Sequence, residues 1–171
     1  MTIGSSVLLG IFITGNSNGL ILPGIITAEE QAALKRIGIP LAIYEGKKNA
    51  LGNMVLVNNT DAMVSPGSDP LLCDLVRDHL KVRLHEGRVA DLEMPGVCAV
   101  VNSKGCVAHP MATESELGHL REIFNTPVDI STVNRGFPYL RVGITANSQG
   151  AVVGEATTGP EMVRIETSLG I

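Results

Sequence analysis

Four asparagines, Asn16, Asn58, Asn102 and Asn147, stand 42, 44 and 45 residues apart, each between two apolar runs. Around Asn58 the pattern runs from Asn49 to Pro66. A glycine, an apolar run, the asparagine six residues on, a small polar turn, a second apolar run and a proline follow one another. Gly10 to Pro23 and Gly96 to Pro110 repeat it, and Arg141 to Glu155 is a worn copy with arginine in the glycine's place. A period in this range marks a stacked or circular array, because one such unit cannot bury its apolar face alone.

Each copy carries the same elements in the same order. In the first, apolar runs from Val7 to Leu22 flank Asn18-Gly19, a dipeptide suited to a tight hairpin turn. Thr27 and Glu30 form a capping box that starts a helix to about Ile37, and Leu41 to Tyr44 reads as a third strand. The second copy has strands across Met54 to Val64, a helix capped by Ser68 or Asp69 with Pro70 in its first turn, and a strand at Val82 to Leu84. The third has strands at Val97 to Val101 and Cys106 to Ala108, a capping box of Thr113 and Glu116, and a strand at Val128 to Ile130. The fourth has strands at Val142 to Ala146 and Ala151 to Val153 and a capping box of Thr158 and Glu161. Leu117, Leu120 and Phe124 in the third helix match Met162, Ile165 and Leu169 in the fourth, and both sets are expected to face inward.

The units run approximately over 5–44, 47–84, 90–130 and 135–171 of one pseudo-symmetric domain spanning 1–171. The fourth reaches Ile171 without a third strand, while Thr2 to Gly4 reads as a third strand with no unit before it. Residues 1–4 are therefore expected to close the array as a strand laid into the last unit, which removes an exposed edge. The expected fold class is α/β, a propeller of strand-strand-helix-strand units.

A net charge of −4 argues against binding that neutralises many phosphates, so no DNA partner is expected. Three cysteines with no Cys-x-x-Cys pair favour neither a disulfide framework nor a metal site. Residues 5–26 are apolar, yet no basic residue precedes them and Gly15 to Gly19 interrupts them. A cytoplasmic protein with no membrane partner is the expectation. Cys106 and His109 lie three apart, and on a strand such a pair points to opposite sides, which does not suit a nucleophile and its base.

Four stretches together resemble the archaeal form of the translation initiation factor 6 family. They are Gly15-Asn16-Ser17-Asn18-Gly19-Leu20-Ile21-Leu22-Pro23, Asn49-Ala50-Leu51-Gly52-Asn53, Thr132-Val133-Asn134-Arg135-Gly136, and Ala146 to Gly154 with Thr157 to Glu161. The resemblance implies a pentein-type propeller and a monomeric ribosome anti-association factor. Such a factor binds the large ribosomal subunit, blocks joining of the small one, takes part in large-subunit biogenesis, and has no catalytic residues, cofactor or metal. The family has five units and four are visible here, so a four-unit ring, a ring with a gap and a place filled by a second copy all stay open.

In a ring, the connections from one unit's third strand to the next unit's first strand share one face. The resemblance puts the ribosomal contact there, and the candidate residues are Ser5, Ser6, Asn49, Leu51, Asn53, Asn134 and Arg135. Lys47 and Lys48 precede Asn53 and are candidates to meet ribosomal RNA or acidic protein. A guanidino-modifying pentein hydrolase or amidinotransferase is the alternative from another class, and it requires a cysteine, a histidine and two carboxylates converging on the ring centre. A shortened paralogue without ribosome binding is the third reading.

Overall fold

A computed structural model describes residues 1–171. Unit one consists of α1 (Leu9–Phe12), β1 (Thr14–Asn16), β2 (Gly19–Pro23), α2 (Ala28–Lys35) and β3 (Leu41–Tyr44). Unit two is α3 (Leu51–Met54), β4 (Leu56–Val57), β5 (Asp61–Val64), α4 (Pro70–Leu80) and β6 (Arg83–Glu86). Unit three is α5 (Pro95–Cys98), β7 (Ala99–Val101), β8 (Cys106–Ala108), α6 (Glu114–Phe124) and β9 (Val128–Ile130). Unit four is a 3-10 turn, η1 (Leu140–Val142), followed by β10 (Ile144–Ala146), β11 (Ala151–Val153) and α7 (Gly159–Leu169).

The result is a mixed α/β molecule with four small separate sheets. In units one to three a hairpin pairs antiparallel and the third strand returns parallel to the second, as the register of Thr14 with Ile21 and of Leu20 with Leu41 shows. A parallel return needs a crossover, and the long helix of each unit supplies it.

The core lies between units rather than within them. Helix α4 packs on β2 and β3, α6 on β5, and α7 on β8 and β9, so each helix covers the sheet of the unit before it. Ile21 and Tyr44 accordingly share a cluster with Leu72, Val76 and Leu80, while Met63 joins Leu117, Leu120 and Phe124, and Val107 joins Ile165 and Leu169. Burying one such aliphatic side chain contributes about 1.5–3 kcal/mol, so neighbouring units depend on each other for stability. Helix α2 has no sheet of this kind beneath it, and its cluster is limited to Ile3, Leu22 and Leu34 with partly buried neighbours.

Each unit opens with a helical turn where a strand was expected. The strand expected from Val7 begins at Thr14, and Met54, Val97 and Val142 likewise fall in helical turns. Backbone packing is the reason. Helix α1 touches α3, α3 touches α5, α5 touches η1, and η1 touches α1. A Cβ on Gly52 would run into the carbonyls of Gly10 and Ile13, and one on Gly96 into those of Gly52 and Val55. Only glycine admits this approach. Beside the four turns a central cavity of about 370 Å3 is lined by residues of all four units, chiefly from β1, β4, β7 and β10 with α1 and Arg141 of η1.

Residues 1–4 do not form a closing strand. Ile3 bridges Ser6 across a turn in which Gly4 and Ser5 have φ of 53° and 66°, and the β10–β11 sheet keeps two strands. The Thr2 hydroxyl donates to Glu30 Oε1 at 2.6 Å and Ile3 packs against Leu22 and Leu34, so this segment belongs to unit one's own loop. Met162, expected inward, is exposed, and its neighbour Glu161 takes the buried place at the start of α7.

Candidate functional site

The connecting loops precede the helical turns and lie at the same end of the units as the starts of the long helices. Three glutamates hold them in the same way. Glu30 accepts from the amides of Gly4 (3.0 Å), Ser5 (3.2 Å) and Thr27 (3.0 Å). Glu116 accepts from Asp91 and Thr113, both at 2.8 Å. Glu161 accepts from Gly136 (2.8 Å), Arg135 (3.2 Å) and Thr158 (2.8 Å), and from the Thr132 hydroxyl (2.7 Å). The loop amides converge because Gly4 and Ser5, Ala90 and Asp91, and Asn134 to Gly136 all have positive φ, which turns successive N–H groups into one concave nest.

These donors lower the carboxyl pKa values. The Thr2 hydroxyl and the Thr27 amide bring Glu30 down to about 2. Burial pushes Glu161 up, but donors from Thr158, Thr132 and Gly136 outweigh it and bring this group also to about 2. Unit two has Leu72 at the glutamate's position, and its N-cap Asp69 accepts from the Tyr44 hydroxyl at 2.6 Å and the Leu71 amide at 3.0 Å. Burial, with Asp69 beside it, pushes the Tyr44 phenol up to about 12.

On this frame the expected contact residues divide. Ser5 and Arg135 are exposed at loop tips, and the Arg135 side chain makes no ion pair. Ser6 is half-buried, and its hydroxyl accepts from the Leu8 amide at 3.2 Å. Asn49 is half-buried and lines a groove of about 570 Å3 with Lys48, Ser68 and Met94. Asn53 lines a smaller pocket of about 120 Å3 with Leu8, Ile11, Arg141 and Val142.

Leu51 is a correction. It is 0% exposed and packs with Ile21, Tyr44 and Leu72, because a helical turn, not an open loop, carries it inward. The Asn134 side chain is also committed inward: it accepts from the Thr157 hydroxyl at 3.3 Å and lies over Gly143 and Gly154, where a Cβ on either glycine would strike it.

The sequence reading missed the apolar part of this face. Val7 (75% exposed), Leu8, Met94, Phe137 and Val142 (60% exposed) project from the segments of units one, three and four that correspond to the loop and turn of Asn49 and Asn53. Their signal was an apolar residue within a few positions of the repeat glycine or, in the fourth copy, of Arg141. Exposed apolar side chains such as Leu8 and Val142 beside Asn53, and Met94 beside Asn49, suit a protein partner more than a phosphate backbone.

The centre of the molecule does not suit guanidino chemistry. The central cavity has Leu, Ile, Val, Ala and Gly walls, with Thr145 and a single charge, the cationic Arg141. Cys106 lies in the core with Leu120 and Phe124, and burial pushes its thiol up to about 12. The Nδ1 atom of His109 accepts from the Met111 amide at 3.1 Å, and its ring stands 5.5 Å from that of Tyr139. No group of three or more His, Cys, Asp or Glu side chains is placed to hold a metal ion.

At the opposite end the repeated asparagines do two things. Each Oδ1 caps its own turn, as Asn102 does for the amides of Lys104 (2.7 Å) and Gly105 (2.9 Å). The Nδ2 of Asn16 then reaches Asn58 O, that of Asn58 reaches Asn102 O, and that of Asn102 reaches Asn147 O.

The eIF-6 family model matches residues 1–168. Translation initiation factor 6 of Pyrobaculum aerophilum is 40% identical over 169 residues, which cover 99% of this chain and 77% of the relative. The Methanosarcina mazei factor of the same name is 41% identical over 168 residues, 98% of this chain and 76% of the relative. That of Haloquadratum walsbyi is 37% identical over 170 residues, covering 99% and 75% respectively.

Proposed function

The chain belongs to the eIF-6 family, and on that premise we propose that its loop face docks on the large ribosomal subunit and sterically excludes the small one. The protein is a translation factor of the ribosome anti-association kind. Its action is steric and non-catalytic, is exerted in the cytoplasm, and extends to large-subunit maturation. No helix is long and apolar enough to cross a membrane. The four sheets are read as blades of a pentein-type propeller, with the circuit of contacts among α1, α3, α5 and η1 as support.

The observation that carries the choice of face is the exposure of Val7, Leu8, Met94, Phe137 and Val142, with Leu8 and Val142 beside Asn53 and Met94 beside Asn49. Interface centres favour apolar side chains with few charges, and a net charge of −4 disfavours extensive phosphate contact. A ribosomal protein is therefore the main partner, with Lys47, Lys48 and Arg135 left for ribosomal RNA at the rim.

Pelleting with isolated large subunits, and sucrose-gradient assay of subunit joining, test this reading. The protein is expected to sediment with large subunits and to reduce joined ribosomes. Leu8→Asp combined with Val142→Asp is expected to weaken pelleting by about tenfold or more, with an unchanged melting temperature. Complete subunit joining at saturating protein sinks the proposal. Absence of pelleting favours the shortened paralogue instead.

A further inference from the structure

The central cavity holds one charge and nothing to balance it. Position 141 is glycine in the equivalent turns of the other units, so the Arg141 side chain enters a space that the repeat otherwise leaves to backbone. A guanidinium has five N–H donors. One of them, on Nη2, reaches Ile13 O at 3.4 Å, and no carboxylate forms an ion pair with the group. Elsewhere the wall is aliphatic, with Leu20, Val57, Val101 and Ile144 prominent, and Arg141 is its only charged member.

Arg141 is half-buried, and a guanidinium partly withdrawn from water without a counter-ion gains when a hydrogen-bonding counter-ion arrives. The fork of a guanidinium matches a carboxylate with two parallel N–H···O bonds. A free phosphate would bring more charge than one guanidinium balances, and its remaining oxygens would face Val and Ile. A cavity of about 370 Å3 is within the size range of small-molecule sites. Arg141 also lines the 120 Å3 pocket beside Leu8, Asn53 and Val142, which gives a route from the loop face.

We propose that the central cavity binds a monocarboxylate with a short aliphatic tail, its head paired with Arg141 and its tail among Leu20, Val57, Val101 and Ile144. Its route opens beside Leu8 and Val142 on the proposed docking face, so the site is tested on the free chain, where the outcome does not depend on ribosome binding.

Calorimetric titration of the full chain with hexanoate, hexanol and hexylammonium tests the proposal. Hexanoate is expected to bind at least tenfold more tightly than hexanol, and hexylammonium not at all. Arg141→Gln is expected to reduce hexanoate to the affinity of hexanol, while Val101→Phe, which fills the cavity and keeps the cation, is expected to abolish binding of both. Should either variant fail to fold, the ranking of the three probes on the unsubstituted protein decides. Equal affinity for hexanoate and hexanol, no hexanoate binding at all, or full hexanoate affinity in folded Val101→Phe protein overturns it.

Discussion

Glu161 ties the start of α7 to the loop that precedes its own unit. Half of that role is visible in sequence: Thr158 with Glu161 three residues on is a capping box, and the structure forms it. The other half joins Glu161 to Arg135 and Gly136, roughly 25 residues away, and no local pattern announces a bond of that length. Glu161→Gln keeps the shape but weakens the acceptor for at least three backbone or hydroxyl donors. The expected loss is roughly 1–3 kcal/mol, read as a fall of about 2–4 °C in melting temperature per kcal/mol. Acid adds a second readout. Glu30 and Glu161 have folded pKa values of about 2 against an ordinary 4.5. A depressed carboxyl pKa gives stability that is present above the unfolded value and lost as pH falls through the folded one. Urea midpoints should therefore drop steadily from about pH 4.5 towards pH 2, less steeply in Glu161→Gln; an unchanged slope in the variant would remove Glu161 from this account.

Among the elements, the asparagine turns and the helical turns tie unit to unit. The asparagines were expected to cap their own turns, and their Oδ1 atoms do so. Bonds from Nδ2 to the next unit were not legible, because each joins residues 42 to 45 apart that only the array brings together. Asn102→Asp separates the two roles by keeping the acceptor while removing the donors to Asn147 O and Leu169 O. It is expected to cost roughly 1–3 kcal/mol. Asn147→Asp should cost much less, since its Nδ2 makes no bond to another unit and only its Oδ1 is used, towards Gln149 and Gly150. Thermal melts of the two variants side by side make the comparison, and equal losses would argue against a directional ladder. The helical turns escaped the sequence for a different reason. Four apolar residues next to a strand look like more strand, and what selects a helix there is the approach of two glycine backbones. Gly52→Ala should accordingly destabilise strongly, whereas Gly10→Ala, whose Cβ meets nothing within 4 Å, should be nearly silent by calorimetry.

For the whole molecule, the period was legible because it is a property of spacing, and the direction of interlocking was not because it is a property of packing. Each long helix covers the preceding sheet, so the array has one covered and one uncovered end. The uncovered end is the sheet of β10 and β11, which lacks the parallel third strand found beside β2, β5 and β8. Val152 in β11 is 75% exposed, and Ala151 beside it is exposed too. An edge that presents unpaired backbone groups and an apolar side chain pairs readily with another chain, and a lysine on such an edge opposes pairing. Self-association through β11 should therefore grow with protein concentration. Sedimentation velocity is expected to show a rising dimer fraction for the unsubstituted chain and a monomer for Val152→Lys at the same concentrations. A monomer throughout in both proteins would mean that this edge is protected by its short length alone.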